Sequence, residues 1–164
     1  MKELPIRKNV RLKGHDYSSA GYYFVTICVK DGHELLWKER PVGAHSVRPL
    51  SDIGETVKMA IENIAKVYRC VNVDKYTIMP NHLHLILRIY GSGRTLCAPT
   101  TVSRVIKQCK EYVTKQIGYS IWQKSFHDHI IRNEEEYQRI WQYIDENPQR
   151  WEEDCYYGDC PVWM

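Results

Sequence analysis

An α+β fold, an antiparallel sheet with helices packed on it, is predicted by three features of the chain. Short runs rich in β-branched and aromatic residues alternate with longer stretches whose apolar residues recur at helical spacing. Two of the runs are separated only by a Pro-Asn turn, so they read as a hairpin. At 164 residues the chain is long enough for one domain with a proper core, and its 43% apolar content, with 12 tyrosines and 5 tryptophans, suits a folded protein.

Taken in order, residues 1–14 carry Arg7, Lys8, Arg11 and Lys13 with little apolar content and read as a basic arm. Tyr22 to Val29 is the first strand, rich in β-branched and aromatic side chains. Residues 30–50, with two prolines and two glycines, read as a loop with a short extended piece near Glu34–Trp37. Ser51 or Asp52 caps the first helix, whose buried stripe is Val57, Ala60, Ile61, Ile64, Ala65 and Tyr68. Val71 to Met79 and His82 to Tyr90 are the second and third strands, joined through Pro80 and Asn81.

A flexible link from Gly91 to Pro99 leads to a second helix opened by Thr100 or Thr101. Val102, Val105, Ile106, Cys109, Val113 and Ile117 form its buried stripe. Tyr119 to Ile131 returns to extended structure. Asn133 caps the last helix, with Glu136 three residues on as in a capping box, and Pro148 stops it at Asn147. The order β-α-β-β-α-β with one helix added is that of a ferredoxin-like split β-α-β sheet. Residues 152–164 read as an acidic, aromatic tail packing loosely on a single domain.

Charge is unevenly placed. Residues 133–164 hold two positive side chains against nine acidic ones, so the total of +3 leaves +10 on the preceding 132 residues. A basic body suits an anionic partner such as nucleic acid, although an ordinary solvated surface accounts for the same charges. Six cysteines without a CxxC pair disfavour a disulfide framework and a zinc knuckle, and read as free, mostly buried thiols. No run approaches the roughly 20 apolar residues of a membrane span, and the opening residues lack a signal's apolar core, so a cytoplasmic location is expected.

The chemistry gathers at two places. In a strand, His82 and His84 share one face while Leu83, Leu85 and Leu87 share the other, so two imidazoles stand side by side and can grip a metal ion. In the last helix, Tyr143 and Asn147 lie one turn apart. A tyrosine hydroxyl needs help to act as a nucleophile, and an asparagine carbonyl is a hard ligand suited to magnesium or manganese. If that helix covers the histidine face, the four residues form a metal-assisted nucleophilic site. The competing readings are a hydrogen-bonded histidine pair and a helix-capping asparagine.

Three segments carry a resemblance. Met79-Pro80-Asn81-His82-Leu83-His84-Leu85 resembles the histidine-hydrophobic-histidine (HUH) motif of single-tyrosine transposases. The run Phe126 to Asn133, followed by Tyr143-Ile144-Asp145-Glu146-Asn147-Pro148, resembles the REP-associated tyrosine transposases, a branch of that superfamily related to the insertion sequence 200 type. Asp16 to Thr26 is similar to their usual opening.

The resemblance implies Mg2+ or Mn2+ held by His82, His84 and Asn147, with Tyr143 as nucleophile. The implied reaction is cleavage and strand transfer of single-stranded DNA at palindromic hairpins through a 5′-phosphotyrosine link, by a monomer or a homodimer with no membrane partner. For DNA contact the candidates are Arg7, Arg11, Arg104, Lys107, Lys110 and Arg132. His127 and His129 repeat the spacing, but Asp128 between them is not apolar, so strand packing or backbone contact is favoured over a second metal site. Two other functions compete: a domesticated hairpin-DNA-binding protein without cleavage activity, and a metal hydrolase using an activated water.

Overall fold

The computed structural model describes residues 12–39, 47–91 and 100–157. The positions assigned to most of the basic arm, including Arg7 and Arg11, lie outside these residues, as do Cys97 and Cys160.

The element order is β1 (Gly21–Cys28), α1 (Asp52–Val67), β2 (Val71–Ile78), β3 (His82–Ile89), α2 (Val102–Ile117), β4 (His127–Ile131) and α3 (Glu134–Glu146), with 3-10 turns at Lys30–Gly32 and Asn147–Glu153. The strands form one antiparallel sheet in the order β2-β3-β1-β4, the split β-α-β arrangement that the pattern predicts. Val25 pairs with Leu85, and Tyr23 and Ile27 with Leu87 and Leu83, so these apolar side chains share one face. There they are buried with Val57, Ile61 and Ile64 of α1 and Val102, Val105, Ile106 and Val113 of α2. The opposite face presents Phe24, Thr26, His84 and Ile86 in alternate positions, and α3 covers part of it by packing Ile144 on Ile86 and Ile131. Tyr137 also belongs to this smaller core, and its hydroxyl donates to Asp74, the residue at a bulge in β2.

The caps are where local chemistry puts them. Ser51, Thr101 and Asn133 each accept a hydrogen bond from a backbone N–H three residues on, answering donors that an α-helix leaves unpaired. Gly118 closes α2 in the left-handed region, at φ 89°. Gly54 has a different reason to be glycine. A Cβ there would stand 2.0 Å from the Leu36 carbonyl oxygen, in the segment that Ser51 ties to α1 through the Leu35 and Leu36 carbonyls. Gly54→Ala is therefore expected to destabilise the protein by about 1–3 kcal/mol, because overpacking against backbone outweighs alanine's helix preference of about 1 kcal/mol. Urea unfolding of the variant checks the sign.

Four expectations need correction. β4 is only five residues long; ahead of it the chain makes a single bridge, Trp122 to Val29. Pro148 ends α3 but not the coil: it lacks the N–H that a first turn leaves unused, so it opens the 3-10 turn to Glu153. The described part of the tail is anchored, since Tyr156 is buried in the core, as is Trp151 just ahead of it. Cys70 is disulfide-bonded, whereas Cys28, Cys109 and Cys155 form no disulfide. Among the described residues no helix is long and apolar enough to cross a membrane.

Candidate metal and tyrosine site

The β2–β3 turn sets the geometry. The carbonyl of Pro80 accepts from Leu36 and that of Asn81 from Val29, which fixes the turn against the end of β1. Asn81 is fully buried, and its amide nitrogen donates to the carbonyls of Gly32 and Tyr156. Its side-chain oxygen is thereby directed at His82 Nδ1, 2.8 Å away. An amide oxygen only accepts, so His82 carries its proton on Nδ1 and leaves Nε2 as a lone pair.

That lone pair faces His84 Nε2 at 3.0 Å. His84 Nδ1 in turn lies 2.8 Å from Thr26 Oγ1, its cross-strand neighbour on β1. A threonine hydroxyl can donate or accept. Without a cation, Thr26 donates and a single His84 proton bridges the two Nε2 atoms. With one held at the pair, Thr26 would accept from Nδ1 and leave the second lone pair free for the ion. Burial holds both imidazoles neutral, His84 down to about 3 and His82 well below its ordinary value, where the His84 charge acts in the same direction. Thr26→Val removes the acceptor that the second state needs. We expect it to weaken Mn2+ binding about 10–100-fold, as losses of hydrogen-bond partners to metal ligands do, measured by calorimetry.

Helix α3 brings the second half. The Tyr143 hydroxyl is 3.3 Å from His84 Nε2, and its ring stands edge-on to Phe24. Tyr143 is 42% exposed, yet desolvation pushes its hydroxyl up to about 12, helped by the nearby charges of Asp154 and Cys155 and opposed by the Asn147 amide beside it. Asn147 is buried, with its side-chain amide beside the Tyr143 hydroxyl. A cleft of about 250 Å³ opens next to Tyr143, lined by Asn147, Arg150, Asp154 and Cys155 among others.

One residue at the site was not foreseen. Asp154, beyond the 3-10 turn, places Oδ2 3.9 Å from His82 Nε2, and the two histidines and this carboxylate offer ligand atoms all within 4.8 Å of one another. Nothing local marks it in an acidic tail. Around it Tyr156 packs on His82 and Trp151 flanks the same ring, so His82 and His84 are 0% and 2% exposed.

The candidate DNA contacts are not gathered at this site. Arg104 and Lys107 are exposed on α2, which packs on the other face of the sheet. Lys110 donates its ammonium to the Gln123 and Ser125 carbonyls, and burial lowers it to about 8, so it fastens α2 to the segment before β4. A groove of about 750 Å³ runs between them, lined by Lys107, Lys110, Lys115, Lys124, Trp122 and Phe126. Arg132 is exposed at the start of α3. His129 pairs with Glu136 at 2.5 Å, and His127 is half-buried.

No family model matches the chain. An uncharacterised protein of Haemophilus influenzae is 33% identical over 176 residues, spanning 93% of this chain and 94% of its own length. A second protein of that bacterium, named as a REP-associated tyrosine transposase, is 24% identical over 142 residues, 81% of this chain and 73% of its own. Among solved structures, that of a REP-associated tyrosine transposase bound to a REP hairpin is similar in fold, with a TM-score of 0.62, 20% identity and coverage of 94% of this chain and 91% of that one.

Proposed function

We propose that this chain is a transposase of the kind that includes the REP-associated tyrosine transposases, to which it is similar in sequence and fold, and that it cuts and rejoins single-stranded DNA at hairpin-flanked sites through a covalent link to Tyr143. The observation that carries the reading is the meeting of α3 with β3, which puts a tyrosine hydroxyl 3.3 Å from one of two adjoining imidazoles.

The residues present fit a divalent ion such as Mg2+ or Mn2+. Two imidazoles converge with a buried carboxylate oxygen that has no hydrogen-bond partner among the described residues, a nitrogen and oxygen donor set that suits such an ion. His82 and His84 would hold the ion, with Asn147 as the expected helix ligand. When bound, it would polarise the scissile phosphate and ease ionisation of the tyrosine.

The chain's own residues do the rest. Asn81 and Thr26 orient the imidazoles, and the Phe24 edge and the α3 backbone hold the Tyr143 ring over the strand. Tyr143 Oη gives up its proton to solvent and forms a bond to phosphorus, the bond to the 3′ oxygen breaks, and that oxygen takes a proton from solvent to leave as a 3′-hydroxyl. Attack by a 3′-hydroxyl reverses the step and joins strands. The basic groove along α2 suits the phosphates of the hairpin. Incubation with single-stranded hairpin DNA and Mn2+ or Mg2+ is expected to give a covalent adduct that survives denaturing electrophoresis. Tight hairpin binding without an adduct under either ion would instead favour a domesticated hairpin-binding protein.

A further inference from the structure

The acidic segment after α3 places a buried carboxylate against the histidine pair. The Asp154 side chain is 1% exposed. Its Oδ1 accepts from the Tyr156 N–H at 2.8 Å, which locks the turn, but Oδ2 has no hydrogen-bond partner and faces the histidine pair. A polar oxygen taken out of water without a partner is costly, and this one lies with the two imidazole nitrogens, all within 4.8 Å of one another. The adjoining Glu152 and Glu153 stay exposed, so Asp154 alone of the three acidic neighbours turns inward. The segment is nevertheless anchored. Tyr156 stacks near His82, and the Tyr156 carbonyl accepts from Asn81, the residue that orients His82.

We propose that Asp154 is a protein ligand of the divalent ion, which makes the segment Asn147–Tyr156 part of the metal site and links its docking to metal binding. This rests on the metal reading of His82 and His84. It divides the work differently from the expected helix ligand: the Asn147 amide lies beside the Tyr143 hydroxyl, whereas Asp154 lies with the histidines. Two neutral imidazoles and one carboxylate leave a divalent ion with one net positive charge and open positions, which suits an anionic phosphate. Since two strand ligands and one tail ligand are brought together only when the tail is docked, the ion stabilises the docked tail by mass action.

The test uses the full chain and Mn2+ alone. Calorimetric titration is expected to show Asp154→Asn binding Mn2+ about ten-fold or more weakly than the wild type, with His84→Ala abolishing binding. Arg150, whose side chain is 62% exposed, offers trypsin a cut within the segment. Saturating Mn2+ is expected to slow that cut about ten-fold in the wild type and little in Asp154→Asn. Wild-type affinity in Asp154→Asn would overturn the proposal while leaving the histidine site standing. Absence of Mn2+ binding in the wild type would overturn the metal reading itself. Should Asp154→Asn not fold, the wild type still decides, because Mn2+ that binds without protecting Arg150 excludes a tail ligand.

Discussion

Tyr143→Phe is expected to abolish the covalent adduct with hairpin DNA while leaving hairpin binding and Mn2+ binding close to wild type. The ring would keep its edge contact with Phe24 and its place over His84, because only the hydroxyl is removed. That hydroxyl belongs to a partly exposed side chain and lies 3.3 Å from His84 Nε2 and beside the Asn147 amide, so its loss costs little folding energy, about 1 kcal/mol. The chemical loss is of another size. With the nucleophile gone, the signal should fall by about a thousand-fold or more, to the background of the assay. Tyr137 offers no substitute, since its hydroxyl is engaged with Asp74 and pushed up to about 12, and its ring packs on Tyr22. An undiminished adduct would show that another group attacks, and cleavage without any adduct would point to an activated water.

The second large effect is on stability against acid. Folding holds His82 and His84 neutral, with His84 at about 3. Unfolding returns both to about 6.5, so below that pH the unfolded chain binds protons that the folded chain refuses. The stability from these groups is fully present above pH 6.5 and is lost as the pH falls through the window towards 3. Each imidazole contributes about 1.4 kcal/mol per pH unit in that window. Urea unfolding between pH 6.5 and 5, above the range where most carboxylates titrate, is expected to show the loss, and His84→Gln should reduce the slope by about half. A flat profile there would mean that the pair is not held neutral. Mn2+ should add stability near pH 7 and progressively less in acid, because protons and the ion compete for the same nitrogens.

Much of this was legible in the chain. Alternation placed His82 and His84 on one face and the leucines on the other, and the sheet register bears that out. The residues at Ser51, Thr101 and Asn133 announced their helices because capping is chemistry between near neighbours. The spacing of Tyr143 and Asn147 placed both on one helix, one turn apart. Other features carried no local signal. Lys110 reads as one more basic side chain on an exposed helix face, and only the approach of the segment before β4 turns it into a fastening between two carbonyls.

The line between sequence and tertiary structure follows the range of the forces. Periodicity, turn residues and caps act within a few residues, so the β-α-β-β-α-β order and the two halves of the site were determined by the chain itself. Whether the halves meet depends on which face α3 covers, a choice made by Ile144 settling on Ile86 and Ile131. The third ligand atom, a carboxylate oxygen beside the two histidine nitrogens, comes from farther still. Asp154 lies 70 residues after His84 and resembles its acidic neighbours in every local respect. It becomes distinct because burial of Trp151 and Tyr156 draws the segment inward and leaves one carboxylate oxygen facing two imidazoles with no other partner.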